Sequence, residues 1–218
     1  MLTIPLPIKL ILDMCAAPGG KSIFAWKTLN PELLLCNEAI GKHMGMLISN
    51  LRRCQILPSA ANVDSKILAE KMPQTANLVI VDAPCTGQSL LAKGDKAPGC
   101  FHHVTINSNT NRQKIILANS AKIVAPQGYL AYMTCTYSTA ENEQVSEWLL
   151  SKLPEFQSVT VRHLEKYRSH LTEIPCYRMW PQDRLGAGAS TVLFQNTSDA
   201  ERNPLPADFL DLARFTNL

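Results

Sequence analysis

The sequence predicts an α/β fold with a mostly parallel, twisted sheet and helices on both faces. Three observations carry that prediction. Continuous apolar runs of strand length recur along the chain, segments of helical period lie between them, and the residues able to do chemistry fall just past the runs. Strands buried on both faces read as unbroken apolar runs. Strand–helix alternation implies parallel pairing through right-handed crossovers. Open sheets of this kind collect ligands at the carboxyl ends of their strands.

In order, the first strand is "KLILDM" (9–14), followed by the loop "CAAPGGK". The second, "ELLLCNE" (32–38), ends on Glu38. Met44, Leu47, Ile48 and Leu51 then repeat at i, i+3, i+4, i+7, one face of a helix. A third strand is expected to end at Asp64 in "ANVDS", and the fourth, "NLVIVDAP" (77–84), runs into "DAPCTG". Leu117, Ala121 and Val124 stripe a helix over 111–124 that Pro126 and Gly128 stop. "GYLAYMT" (128–134) is the fifth strand and leads into "TCTYS". Ser138 and Glu141 read as a capping box ahead of a helix that buries Val145, Trp148, Leu149 and Leu153. "FQSVTV" (156–161) and "STVLFQ" (190–195) are late strands flanking an irregular 162–189. One domain over 1–196 is expected, then a polar, flexible tail over 197–218 with a short helix around "ADFLDLARF".

Composition sets outer limits. The 218 residues are 46% hydrophobic and 18% charged, which fits a chain with a substantial core and not a disordered one. No apolar run reaches the length of a membrane span, and no secretory signal opens the chain, so no membrane partner is expected. Seven cysteines without a C-x-x-C pair point to a reducing compartment, hence a cytoplasmic location, and not to a disulfide framework. "CFHH" (100–103) lacks a second ligand pair at zinc spacing, so no metal site is expected. A net charge of +3 permits an anionic partner without demanding one.

The loop poses the functional question. "CAAPGGKS" misses the phosphate-binding pattern G-x-x-x-x-G-K-[ST] by one residue, because Cys15 stands where the first glycine belongs. Pro18 also removes a backbone donor. "LVIVD" ending on Asp82 still resembles a magnesium-binding strand, which keeps a triphosphate reading open. Glu38 suggests a different ligand. It lies roughly twenty residues past the loop, where an acidic residue receives the two hydroxyls of a ribose. Cys15, Ala16, Ala17, Pro18, Gly19, Gly20 and Lys21 with Glu38, Asp64 and Asp82 describe a nucleoside pocket without a triphosphate, and S-adenosylmethionine fits it. Cys15, Cys36, Cys54, Cys100 and Cys176 read as buried or loop thiols. Cys85 and Cys135 each lie just past a buried strand, where two thiols could face one ligand.

"DMCAAPGGKS", "NEAIGKHMGMLISNLRRC", "NVDS", "DAPCTG" and "MTCTYSTAENEQV" resemble, in order and spacing, the motifs of the Nop/Sun group of RNA cytosine-5 methyltransferases. "RMWPQDRLGAG" is similar to that family's final Arg-x-x-Pro and glycine segment. The resemblance implies a Rossmann-like class I methyltransferase fold with an antiparallel late strand, S-adenosylmethionine as cofactor, and an rRNA or tRNA substrate. It implies that Cys135 adds to cytosine C6, that Cys85 assists product release, that Asp82 contacts the cytosine edge, and that Lys21 positions Asp82. DNA cytosine-5 methyltransferases share the "PC" element and would make Cys85 the nucleophile. The loop and the second cysteine favour RNA, so no DNA partner is expected. The chain departs from the family pattern at His43 and Gln182, where Arg and His are usual, and at Lys93 and Lys96 in place of an Arg. The family's N-terminal RNA-binding segment is expected to be absent. The alternative functions are a non-catalytic module that binds S-adenosylmethionine or RNA and, behind it, a nucleotide-binding protein of P-loop type.

Overall fold

Asn77 sets the start of the first strand: its side-chain oxygen accepts from the backbone N–H groups of Lys9 and Leu10, at 3.1 Å each. The computed structural model describes residues 4, 5, 7–56, 59–207 and 209. These fall into two compact units, one drawn from Met1–Asp82, Asn119–Leu130 and Asn196–Leu218, the other from Ala83–Ala118 and Ala131–Gln195.

The first unit is the parallel part of the fold. Strand β1 (Leu10–Asp13) pairs in parallel with β2 (Leu33–Asn37) on one side and β4 (Ala76–Asp82) on the other. β2 in turn pairs in parallel with β3 (Ser59–Ala61). Leu10, Ile11, Leu12, Leu34, Leu35, Val79 and Val81 are buried, as strands covered on both faces require. Helices α1 (Gly20–Leu29), α2 (Met44–Arg53) and α3 (Ser65–Lys71) make the connections. Leu47 and Leu51 of the expected stripe are the buried face of α2. The strand order is β3-β2-β1-β4, then β5 (Val124–Thr134). β5 starts earlier than the proline and glycine suggested. Val124 and Ala125 are already buried in extended backbone, and Gly128 passes so close to β4 that an added Cβ would lie 3.1 Å from the Ala76 and Asn77 carbonyl oxygens. Part of the polar tail is tied to this unit: Arg202 donates to the Asn77 side chain (2.8 Å) and the Asn203 amide to the Gln74 carbonyl (3.1 Å). Most of the "ADFLDLARF" segment lies outside the described residues.

The second unit continues from β5 through the order β5-β8-β6, where β8 is Ala189–Asn196 and β6 is Phe156–Ser158. It holds most of the long helix α4 (His103–Ile123), which begins eight residues before the expected stripe, and α5 (Glu143–Lys152). The stretch expected to be irregular contains a further strand, β7 (Tyr177–Met179), antiparallel to β8. The antiparallel late strand is thus present, paired through Arg178 and Ser190.

Two local expectations fail. Ser138 and Glu141 do not cap α5: the cap position is Asn142, with no side-chain cap bond, and the Glu141 carboxylate is drawn to Thr86 instead. Asp64 does not end β3, which stops at Ala61. It caps α3, accepting from the Lys66 amide at 2.8 Å.

Candidate active site

In the first unit the loop after β1 is folded on itself and onto β2. The Ala16 amide donates to the Asn37 carbonyl (2.8 Å), Ala17 to Glu38 Oε2 (3.3 Å) and Gly19 to the Ala16 carbonyl (2.6 Å). Gly19 turns the chain at φ 107°, a left-handed conformation suited to glycine, and α1 starts at the next residue. Pro18 offers no N–H, and its carbonyl accepts from Asn50 (2.9 Å). Three donors of the loop, the Ala16, Ala17 and Gly19 amides, are thus turned inward, and the first amides of α1 follow directly behind them.

Three carboxylates sit at neighbouring strand ends. Glu38, buried past β2, accepts from the Ile40 amide (2.9 Å) as well as from Ala17, with His43 Nδ1 3.6 Å away. Asp82, at the end of β4, is 2.7 Å from Lys21 Nζ, so the structure joins the two residues that the resemblance paired. Asp13 was not among the expected site residues. It ends β1 fully buried, accepts from Ser22 Oγ (2.5 Å), and its Oδ1 has no hydrogen-bond partner among the described residues. Burial outweighs the Ser22 bond and, with the Asp82 charge adding to it, pushes the Asp13 carboxyl up to about 7. Cys15 stays a neutral thiol, its pKa driven upward by burial and then by the charges of Asp13, Glu38 and Asp82. Asp64 is exposed beyond β3 and occupied by its capping bond. The buried acidic ends of β1 and β2, the inward-turned loop and the free Asp13 oxygen fit a nucleoside with a polar tail.

The second unit brings the two cysteines together. Cys85 lies three residues past β4 and Cys135 is the first residue past β5, and their Sγ atoms are 3.3 Å apart. The residues that follow each cysteine make the clasp. Thr86 Oγ1 and Thr136 Oγ1 are 2.7 Å apart, and Thr86 gives both its amide (2.9 Å) and its hydroxyl (2.6 Å) to the Glu141 carboxylate. Gln113, on α4, donates to Glu141 (3.0 Å) and to the Pro84 carbonyl (2.9 Å). Gln88 makes a second stitch, accepting from the Tyr137 amide (3.0 Å) and donating to the Cys100 carbonyl (2.8 Å). Hydrogen bonding to Cys135, then burial, raises the Cys85 pKa well above that of an ordinary thiol. Two sulfurs this close do not both ionise readily.

Behind the Cys135 loop lies a buried ion pair. The Arg178 guanidinium meets both oxygens of Glu143, and its Nη1 donates to the Tyr137 carbonyl at 2.9 Å. Burial alone would raise the Glu143 pKa, but the Arg178 fork and the Ser169 hydroxyl (2.7 Å) bring it below the usual carboxylate value. The Tyr137 hydroxyl donates to the Ala187 carbonyl, and a Cβ on Gly188 would lie 2.6 Å from the Tyr137 ring, which requires glycine there. Glu141, Gln113, Gln88 and Arg178 were all missed as site residues. Arg178 carried a signal as the arginine of "RMWP", and Glu141 lay within "MTCTYSTAENEQV" but was read as a capping residue.

Comparison with known proteins gives a consistent picture. A family model described as 16S rRNA methyltransferase RsmB/F matches residues 2–190. A ribosomal RNA small subunit methyltransferase F of Pectobacterium carotovorum is 26% identical over 213 residues, 95% of this chain and 43% of that protein. The chain therefore spans less than half the length of this curated relative. Among solved structures, a protein designated PH0851 superposes with a TM-score of 0.79 at 26% identity, covering 88% of this chain and 43% of that one. NSun6 from Pyrococcus horikoshii, solved with SFG, gives 0.73 at 21% identity, covering 87% and 48%, which is a likeness of fold.

Proposed function

Because the chain belongs to the 16S rRNA methyltransferase RsmB/F family, we propose that it methylates C5 of a cytosine in RNA, with S-adenosylmethionine as methyl donor and Cys135 as nucleophile. The observation that carries this reading is the pair of thiols 3.3 Å apart, clasped by Thr86, Thr136 and Glu141. A methyltransferase acting on an exocyclic or ribose heteroatom has no use for two such sulfurs. C5 of cytosine does, because it is a poor nucleophile until a thiolate adds to C6 and turns the ring into an enamine.

The cofactor supplies an electrophilic methyl group. Glu38 would hold its ribose hydroxyls, and the loop from Cys15 to Lys21 with Asp13 would surround its amino-acid portion. Asp64, at the start of α3, would lie toward its base. Cys135 forms the S–C6 bond. Once C5 has taken the methyl group, its proton passes to a solvent water, the C5–H electron pair re-forms the C5–C6 double bond, and the S–C6 bond breaks with its electron pair returning to sulfur. Cys85, as the protonated partner of the pair, would donate a hydrogen bond to the departing Cys135 sulfur. Asp82, held by Lys21, would receive the cytosine edge and stabilise the ring where positive charge develops. The family description supports an rRNA substrate over a tRNA one, and the fine choice of cytosine belongs to RNA shape and unstacked bases.

RNA carrying 5-fluorocytosine tests the assignment, since fluorine at C5 blocks the elimination and leaves the adduct on the enzyme. The wild-type chain and Cys85→Ala should be trapped covalently with S-adenosylmethionine present, and Cys135→Ala should not. Trapping of Cys135→Ala with loss of trapping in Cys85→Ala would reverse the roles of the two sulfurs.

A further inference from the structure

A groove of about 350 Å³ opens in the second unit, lined by Lys166, Tyr167, Arg168, His170, Trp180 and Asp183 among others. That volume sits near the lower end of small-ligand cavities, roughly 300–1,000 Å³, enough for one nucleotide and too small for a duplex. Its walls are cationic and aromatic. Lys166 and His170 are exposed, the Lys166 ammonium lies over the Tyr167 ring at 4.7 Å, and Arg168 shares an exposed pair with Glu165 at 3.0 Å. The one carboxylate in the wall, Asp183, is already occupied by the Trp180 amide at 2.7 Å, which closes the turn carrying the indole. Trp180 stacks on Tyr137 with ring centroids 5.2 Å apart, and the Arg178 guanidinium lies 5.5 Å from its ring. Tyr137 is two residues beyond Cys135. The groove is therefore connected to the nucleophile's own loop through one ring stack.

We propose that this groove is a subsite for a single-stranded RNA nucleotide flanking the reacting cytosine, its base against the Trp180 indole and its phosphate toward Lys166, Arg168 and His170. This rests on the RNA methylation reading given above. A π surface beside cations matches a nucleotide, which has a stacking face and an anion on one unit. An acidic protein segment would use the cations and leave the indole idle. Seating a neighbour there also fits the need to splay bases apart before one can be attacked.

The test follows the indole N–H resonance of Trp180, identified by its absence in Trp180→Phe, in the whole chain titrated with a single-stranded pentaribonucleotide centred on cytosine. The resonance should shift with RNA. The double variant Lys166→Ala/His170→Ala, at two exposed positions, should bind about tenfold more weakly. Its log–log salt slope should fall by about 1.4, the value for two lost phosphate contacts on a single strand. Its S-adenosylmethionine affinity should be unchanged. An unmoved Trp180 resonance in a chain that methylates RNA overturns the subsite alone. A moving resonance without any methylation leaves the subsite standing and overturns the methylation reading. A pentaglutamate peptide that shifts Trp180 as strongly as RNA also overturns the subsite, because the groove would then select anions and not nucleotides.

Discussion

The two units place their functional groups by different means. In the first, the loop from Cys15 to Lys21 and the acids Asp13, Glu38 and Asp82 are placed chiefly by backbone: parallel strands of fixed register bring their ends together, and the loop closes on itself and onto β2 through the Gly19 and Ala16 amides, with single side-chain hydrogen bonds involving Glu38 and Asn50. In the second, Cys85 and Cys135 are positioned by side chains from distant segments, with Glu141, Gln113 and Gln88 bridging them and Arg178 fixing Tyr137. A backbone-built site tolerates substitution of individual side chains. A site built from buried polar side chains loses much when one partner goes, because the others remain buried and unpaired.

The largest effect is expected at the buried ion pair. Arg178→Ala leaves Glu143 uncompensated and should cost about 3–5 kcal/mol of stability, read from urea unfolding. Arg178→Lys should recover only part of this, since a point charge does not reproduce the two-pronged contact with both Glu143 oxygens. A cost below about 1 kcal/mol for Arg178→Ala would mean that the second unit does not depend on its side-chain network.

Glu141→Ala comes next. It strands the Thr86 amide and the Gln113 amide group, a loss of about 2–4 kcal/mol for two buried donors. It also releases the clasp on the cysteines, so trapping on 5-fluorocytosine RNA should slow by about a hundredfold, the scale of a 1 Å misplacement of reacting groups. Glu141→Gln keeps one acceptor for Thr86 and should lie between Ala and wild type in both measurements. Equal trapping rates in all three would show that Glu141 only stabilises the fold.

The same contrast decides what could be read from sequence. The central strands and the loop were legible because backbone periodicity and chain-local motifs encode them, whereas the pairing of Lys21 with Asp82 was implied by the family resemblance alone. Glu141 was misread because S-x-x-E ahead of an apolar run is also a capping signature. Its true partner, Thr86, is 55 residues away, and no local pattern announces it. β7 was missed for a related reason: three residues in an Arg- and Pro-rich stretch have no visible period, and their pairing with β8 exists only in three dimensions. Asp13 sat inside the quoted motif, yet its burial and unpartnered oxygen depend on the strands either side.

Asp13 gives a pH-dependent prediction. Its folded pKa, about 7, lies above the ordinary aspartate value of 3.8, so between the two the folded state holds a proton that the unfolded state has released. Stability from this group is then full below about pH 4, falls as pH rises toward 7, and levels off above it. Between pH 5 and pH 7 the loss is about 2 kcal/mol at 1.36 kcal/mol per pKa unit. Asp13→Asn cannot lose that proton, so its melting temperature relative to wild type should climb across this interval and then stay constant. A constant difference from pH 5 to pH 8 would place the Asp13 carboxyl in the ordinary range.

The smallest stability effect is expected at Lys21, where the backbone-built character of the first unit is most open to challenge. Its pair with Asp82 is short but half-exposed, and such pairs contribute about 0–1 kcal/mol. Lys21→Met should therefore leave the urea midpoint nearly unchanged. If Lys21 orients Asp82 toward the cytosine edge, methyl transfer should nonetheless fall by about tenfold while S-adenosylmethionine affinity holds. Lys21→Arg, which keeps the charge and the reach, should restore much of that rate. A Lys21→Met chain that binds cofactor and methylates RNA at the wild-type rate would confine Lys21 to the surface and leave the β4 backbone alone to position Asp82.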